Sequence, residues 1–362
     1  MIIPCLTIDA TFEADLDSIV QSIRNWSLFG QIAIRGIREH DLDLMEATFQ
    51  QVGGSVDILM ELDEDNETNS IRLLNAGATF VSAMPTATQA WSTIPADRVR
   101  AIVDDPSLDE AVPRGHVVGL TNPTSERIAE LEMARIDVTV EIEALKNTEM
   151  IVDFLEQVLV TDREDGLWST LIVDPMGVAL GLAYSNRESL TYAIEHRVGT
   201  YYSRSRDELW IKGESSGATQ SLLGLRFDCD RDCLRFRVTQ AAPGFCHLKH
   251  YACFGPQRTI ESVTQRLADR LNESDSKSFT KKLAADPNLL RTKLLEEAEE
   301  LAEASEHQAA AEVTWEAADL FYFSLVAMIK NGVSVNDIHE ELARRMNRVV
   351  RRKNKLESKE PS

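Results

Sequence analysis

Over the first 150 residues, short apolar runs alternate with helical patterns. IIPCLTI, QIAIRGI, VDILMEL, TFVSAM, VRAIVDD, HVVGL and IDVTVEI read as strands. Segments such as DLDSIVQSIRNW and DLDLMEATFQQV lie between them and repeat apolar positions at helical spacing. Strands alternating with helices predict a parallel sheet, and LLNAGATFVSAM has the cadence of a (β/α) barrel unit. After about residue 155 the pattern changes. TLIVDP, GVALGLAY, GTYYSRS, ELWIKG, GLRFDCD and CLRFRVTQ read as strands between turn residues, interrupted by one helix, RESLTYAIEHR. This predicts an α+β domain with a mostly antiparallel sheet. Beyond residue 257 the strand signal stops, and periodic helices are expected near 257–272, 289–306, 309–331 and 335–352. NESDSKSFTKKLAADP between the first two reads as a polar loop, and KNKLESKEPS as a disordered tail. The expectation is therefore a multidomain chain: an α/β domain of βα repeats over 1–154, an α+β domain over 155–256, an all-α bundle over 257–352 and a tail over 353–362.

Composition narrows the partners. The 362 residues hold 38 basic and 59 acidic side chains, a formal net charge of −21. Nucleic acid and anionic membrane both need clustered Lys and Arg, so neither is expected as a partner. A phosphorylated small molecule remains compatible, because bound cations reverse the local sign. The start, MIIPCLTIDA, lacks a leader pattern, and the longest apolar run, LFYFSLVAMI, is half a membrane span. A cytoplasmic location is expected. In a reducing compartment the five cysteines, Cys5, Cys229, Cys233, Cys246 and Cys253, point to metal binding or catalysis rather than disulfides.

Candidate chemistry concentrates in two places. In DCDRDC, read as strand, alternation sends Asp228, Asp230 and Asp232 one way and Cys229 and Cys233 the other. Three adjacent carboxylates call for a hard cation such as Mg²⁺, and thiols for zinc. Cys246 and Cys253 follow in CHLKHYAC, with His247 and His250 between them. The plain alternatives are a solvated acidic face and buried thiols, and Cys233 is read as such a bystander. A structural site of four cysteines competes with a three-thiol site that leaves a position open for water. Arg187, Arg204, Arg206 and Lys212, with Ser203, Ser205, Ser215 and Ser216, make a candidate phosphate cradle; the alternative is an exposed basic loop.

NRE, YYSRSRDELWIKGESSG, DCDRD and C-x6-C, in this order and spacing, resemble phosphoribosyl-AMP cyclohydrolase of histidine biosynthesis over roughly 160–256. The resemblance implies hydrolytic opening of the adenine ring. It implies zinc on Cys229, Cys246 and Cys253, shared between two subunits of a homodimer, and Mg²⁺ on Asp228, Asp230 and Asp232. His247 becomes the candidate proton-transfer group, with an orienting role as the alternative. Substrate contacts are implied for Arg187, Ser203, Arg204, Ser205, Arg206, Trp210, Lys212, Glu214 and Ser216. QAAPGF before the CH pair departs from the family's usual polar or Gly-rich segment.

The second place is helical. Glu297 and Glu300 in KLLEEAEEL, and Glu316 and Asp319 in EAADL, are each three apart and flank an apolar stripe. Packing the stripes of Leu290, Leu294, Ala298 and Leu301 against Val313, Ala317, Leu320 and Ser324 brings the four carboxylates together as a Mg²⁺ site for diphosphate chemistry. The alternative is an ordinary charged helix with Lys293 and Glu297 paired. The motifs K-x-x-E-E-x-x-E and E-x-x-D resemble phosphoribosyl-ATP pyrophosphohydrolase, an all-α relative of MazG-type pyrophosphatases, over about 258–350. That resemblance implies Mg²⁺ on Glu297, Glu300, Glu316 and Asp319, water activation by Glu297 and Glu300, and phosphate contact by Lys293. The two activities are consecutive steps and are fused in this order in many organisms. The α/β domain in front of the pair resembles the arrangement in fungal multifunctional histidine enzymes, which continue into a histidinol dehydrogenase domain, and here a bifunctional form or a fragment is expected. The competing readings are a general nucleoside triphosphate pyrophosphohydrolase with a structural zinc module, and a non-catalytic metal-binding or assembly protein.

Overall fold

A computed structural model of the chain describes residues 1–8, 15–83, 91–105, 112, 115–255, 259–272, 278–307 and 310–350. The sequence-expected tail, 353–362, lies outside them. The chain divides into two compact units, Met1–Gly255 with Glu340–Ser362, and Pro256–His339.

The first unit opens with seven parallel strands: β1 (Ile2–Thr7), β2 (Gln31–Ile37), β3 (Asp57–Leu62), β4 (Phe80–Ser82), β5 (Ile102–Asp104), β6 (Val117–Leu120) and β7 (Asp137–Glu141). They are ordered β4-β3-β2-β1-β7-β6-β5. A parallel bridge between Val81 and Val99, with Arg100 N donating to Val81 O at 2.9 Å, joins the two edges. The sheet therefore closes into a barrel. Alternation fills its interior with Ile3, Cys5, Ala33, Leu59 and Val117, against Phe80 and Ile102. The opposite faces, with Ile32, Ile34, Ile58, Met60 and Val81, pack under α1 (Leu16–Trp26), α2 (Leu42–Val52) and α3 (Glu67–Ala76). Caps start the helices: Asp15 accepts from Ser18 N at 2.8 Å, and Asn66 from Asn69 N at 3.0 Å. α4 (Ser125–Met133), α5 (Ile142–Leu145) and α6 (Thr148–Val158) complete the layer.

The same unit then carries a four-stranded sheet of β8 (Trp168–Val173), β9 (Ala179–Ser185), β12 (Gln220–Phe227) and β13 (Cys233–Gln240), ordered β12-β13-β8-β9. Two of its pairings are antiparallel and one, β13 with β8, is parallel. α7 (Arg187–His196) and the hairpin of β10 (Thr200–Ser203) and β11 (Glu208–Ile211) stand beside it. Leu225, Leu234, Phe236, Val238 and Tyr201 form its core, in one cluster with Phe154 and Leu155 of α6. Residues 1–255 thus share buried side chains across the expected boundary at 154.

The second unit holds α8 (Ile260–Asn272), α9 (Phe279–Ala285), α10 (Pro287–His307) and α11 (Ala310–Lys330). Leu283, Leu290, Phe323 and Val326 form its core, and the hydroxyls of Thr280 and Tyr322 lie 2.9 Å apart. The expected polar loop is wrong over its second half. Phe279 and Leu283, one turn apart, give α9 an apolar edge, and Leu283 is fully buried. The last helix, α12 (Val335–Met346), stops six residues short of the expected 352. Beyond it Asn75 Oδ1 accepts from Val349 N at 2.9 Å, within the first unit. Among the described residues no single helix is long and apolar enough to cross a membrane.

Candidate functional site

The thiols occupy two places. β12 ends at Phe227 and β13 begins at Cys233, so Asp228–Asp232 form the hairpin turn rather than strand. The expected alternation of carboxylates and thiols across a strand is therefore wrong. Asp228 instead ties the turn: its Oδ1 accepts from Asp232 N and Cys233 N, both at 3.2 Å. Arg231 takes a left-handed φ of 67°. This curl brings oxygens of Asp228, Asp230 and Asp232 within 4.8 Å of one another, all exposed. Asp230 chiefly, with Asp228, pushes the Asp232 carboxyl above its ordinary range, as crowded like charges do. Cys229 is exposed beside Asp230. Cys233 is half-buried, and burial raises its thiol.

Cys246 and Cys253 lie on the loop that follows β13. Phe245 N donates to Tyr251 O at 2.9 Å and Cys246 N to His250 O at 3.1 Å, closing a tight turn. Two further bonds pin the loop to the sheet, Cys253 N to Leu180 O at 2.8 Å and Tyr251 Oη to Asp174 Oδ2 at 2.8 Å. The two thiols interact, and burial followed by Cys246 pushes Cys253 upward. Lys212 is buried, donates to Ala218 O at 3.2 Å and stands 5.4 Å from the Phe245 ring centre. Burial lowers its ammonium while Cys253 opposes that shift. Trp210 packs between Tyr201 and Phe245. The expected Trp210, Lys212, Cys246 and Cys253 are therefore brought together, with His247 exposed next to Cys246.

Cys229 does not join them. Cys233 pairs with Ser169 and Arg237 with Val173, so the acidic turn sits at the Ser169 end of the sheet. Cys253 is bonded at Leu180, next to Ala179, the partner of Val173. Four strand positions separate the two ends, roughly 13 Å. Among the described residues no three thiols converge. The expected cradle is likewise divided. Arg187 is held by Glu149, Asp153 and Glu156 of α6, leaving its guanidinium occupied. Arg204 stacks 3.9 Å from the Tyr184 ring centre, and Arg206 reaches Glu208 at 3.2 Å and Ser203 Oγ at 3.2 Å. Ser205, Glu214, Ser215 and Ser216 are exposed in the two flanking turns.

In the helical unit three of the four expected carboxylates converge on one point, and the fourth, Glu300, bonds one of them. Glu297, Glu316 and Asp319 place carboxylate oxygens within 4.8 Å of one another. Glu300 is exposed and hydrogen-bonds Glu316. Glu297 is buried, and burial first, then Glu300 and Asp319, push its carboxyl up against the pull of Lys293. Glu316 is raised by burial and Glu300. Lys293 reaches Glu296 at 2.8 Å and Glu297 at 3.5 Å. Four carboxylates and one ammonium suit a hard divalent cation with phosphate oxygens, because a cation offsets the repulsion among crowded carboxylates.

Sequence reasoning missed Asp174, Tyr251 and Phe245, which hold the thiol loop. The only available signal was the turn sequence DPMG beginning at Asp174. Acidic residues at the strand ends of the barrel read from sequence as solvated, but at its C-terminal rim Glu61 and Glu141 are half-buried. There Thr7 Oγ1 donates to Glu141 Oε1 at 2.8 Å and Arg35 Nε reaches both oxygens of Glu61 at 3.2 Å, so these polar groups satisfy each other.

Comparison with known proteins matches the family model for phosphoribosyl-AMP cyclohydrolase over residues 181–255 and that for phosphoribosyl-ATP pyrophosphohydrolase over 260–346. The chain is 48% identical over 193 residues to the histidine biosynthesis bifunctional protein his7 of Schizosaccharomyces pombe, covering 53% of this chain and 45% of that protein. It is 47% identical over 194 residues to the histidine biosynthesis trifunctional protein of Saccharomyces bayanus, covering 53% of this chain and 24% of the relative. The alignments thus span less than half the length of these fungal relatives. Against the histidine biosynthesis bifunctional protein HisIE of Bacillus subtilis, identity is 35% over 195 residues, 51% of this chain and 93% of the relative. With nearly the whole of that protein covered and both domain models matched in order, the chain belongs to the family of histidine biosynthesis bifunctional proteins.

Proposed function

We propose that the chain catalyses two consecutive hydrolyses, splitting diphosphate from phosphoribosyl-ATP in its helical unit and opening the adenine ring of the resulting phosphoribosyl-AMP in its central domain. One observation carries this reading: each matched region contains its own convergent cluster, thiols with Lys212 in the first and carboxylates with Lys293 in the second.

For the helical site, Glu297, Glu300, Glu316 and Asp319 are the proposed Mg²⁺ holders, and Lys293 the phosphate contact. Mg²⁺ supplies charge neutralisation for the diphosphate group. Glu297, buried beside Glu316 and Asp319, and Glu300, bonded to Glu316, are the proposed groups that orient an attacking water and take its proton.

For the central site, Cys246 and Cys253 fit a soft cation, since two interacting thiols are costly to ionise without one. Zinc supplies Lewis acidity to the hydrolytic water when bound. Cys229 lies at the other end of the sheet, which supports a zinc site completed by the Cys229 of a second chain in a homodimer. His247, beside Cys246, is the proposed proton carrier to the ring nitrogen, and Lys212, Arg204, Arg206 and Ser203 the proposed phosphate contacts. Asp228, Asp230 and Asp232 are the proposed second Mg²⁺ group. Its cytoplasmic setting is part of the same reading.

The test supplies phosphoribosyl-ATP with Mg²⁺ and Zn²⁺ and follows products. Cys246→Ala stalls at phosphoribosyl-AMP. Glu300→Ala blocks diphosphate release but spares added phosphoribosyl-AMP. Loss of both activities in both folded variants refutes the division of labour. Equal kcat/KM on common nucleoside triphosphates supports instead a general pyrophosphohydrolase.

A further inference from the structure

A third constellation lies where the barrel meets the central sheet, inside the first unit. Arg226 of β12 pairs directly across the ladder with Arg235 of β13, and Arg237 follows on the same face of β13. Like charges placed opposite each other destabilise a ladder unless something neutralises them. Among the described residues none of these three guanidiniums makes a hydrogen bond or ion pair, in a chain with 59 acidic side chains.

The three line a cavity of about 200 Å³, closed on the barrel side by Leu28, Gly30 and the Gly54–Asp57 turn. Arg226 seats its guanidinium against Gly30, so close that a Cβ there would lie 2.4 Å from Nη2. Asp57 is the one carboxylate in the lining, and it already accepts from Thr79 Oγ1 at 3.4 Å. Glu340 is the other acid felt by Arg237, and it has interactions of its own. Burial first, with Arg226 and Arg235 adding to it against the pull of Glu340, lowers the Arg237 guanidinium, as crowded cations do. None of the lining residues belongs to the thiol or carboxylate clusters.

We propose that this cavity binds a phosphoryl-bearing small anion, held by Arg226, Arg235 and Arg237. Guanidinium forks match the oxygens of a phosphoryl group two at a time, and three of them suit a multiply charged anion better than a single carboxylate. A volume of about 200 Å³ lies below the 300 to 1,000 Å³ or so of pockets for larger ligands, so phosphate, diphosphate or the phosphate end of a nucleotide fits it.

The experiment titrates inorganic diphosphate, inorganic phosphate and AMP into the full chain by calorimetry, with EDTA present so that the carboxylate clusters cannot recruit an anion through a metal. Arg235→Gln is exposed and keeps most of the side-chain stem. It should weaken anion binding about tenfold, the usual scale for one charge-assisted bidentate contact. Arg235→Gln with Arg237→Gln should abolish binding, and Arg235→Lys should retain part of it. Matching far-UV spectra and unfolding midpoints confirm that Arg235→Gln is folded, and this single variant carries the test if the double variant is not. Loss of AMP binding along with diphosphate assigns the anion to a nucleotide; diphosphate or phosphate binding without AMP assigns it to the free ion. Absence of binding to the unaltered chain at millimolar anion, or equal binding by unaltered chain and Arg235→Gln, overturns the proposal.

Discussion

Gly181→Ala tests how the thiol loop is held. Gly181 lies in β9 opposite Ile172, and a Cβ there would sit 2.2 Å from Phe245 Cε1 and 2.7 Å from Cδ1. Ordinary contact begins near 3.4 Å, so the ring has to withdraw by about 1.2 Å. It has little room, since Phe245 is 7% exposed and packs against Trp210 at 6.2 Å between ring centres. Overpacking of this kind costs about 1–3 kcal/mol. The displacement passes to Cys246, the next residue, while Cys253 stays bonded to Leu180 O beside the mutated position. Separating two ligands by about 1 Å lowers the proposed ring opening by about 100-fold. The assay is urea unfolding of the first unit, together with both hydrolyses measured separately on the full chain. Diphosphate release should be unchanged. Adding Phe245→Leu should recover part of the stability by making room. A Gly181→Ala protein with unaltered stability and unaltered ring opening would show that Phe245 does not buttress the loop.

Arg187→Ala should cost only about 1 kcal/mol in unfolding, because its carboxylate partners are exposed. It should leave the KM of the cyclohydrolase step within twofold or so, whereas a direct phosphate contact would raise it about tenfold or more. Tyr201→Phe removes a buried 2.7 Å bond to Gln220 Oε1 and should cost about 1–2 kcal/mol by thermal unfolding. In EDTA, the helical unit should lose stability as pH rises from the ordinary carboxyl value of 4.5 through the raised value of Glu297. Over that window the folded state holds more protons than the unfolded one, so stability falls with pH. Glu297→Gln should flatten this dependence and Mg²⁺ should reverse it, both read from melting curves of the helical unit.

The barrel was largely legible because each strand is a contiguous apolar run, and burial on both faces needs only that. The paired carboxylates of α10 and α11 were legible because spacing of three fixes a helical face. The expected stripes were not, since Ala298 is exposed and the core joins Leu290 to Phe323 and Val326 rather than to Val313, Ala317, Leu320 and Ser324. DCDRD was misread because strand propensity runs on either side of it, while the turn rests on Arg231 adopting a left-handed φ of 67°, which its side chain does not announce. α9 was missed because its short FTKKLAA stretch follows the polar run NESDSKS, and its only large buried apolar side chain is Leu283. The separation of Cys229 from Cys246 and Cys253 depends on strand order, and the arginine cluster on cross-strand register; neither is written in local spacing.

The placement of the thiols has a consequence for how the proposed ring opening would respond to dilution. Cys229 and the Cys246–Cys253 pair stand at opposite ends of one sheet. A reaction that needs all three from two chains rises with the square of protein concentration below the dissociation constant of the pair, and linearly above it. Specific activity would then fall on dilution and recover when inactive chains supply the missing thiol. Mixing Cys229→Ala with Cys246→Ala would regenerate one intact site per mixed dimer, while either variant alone has none.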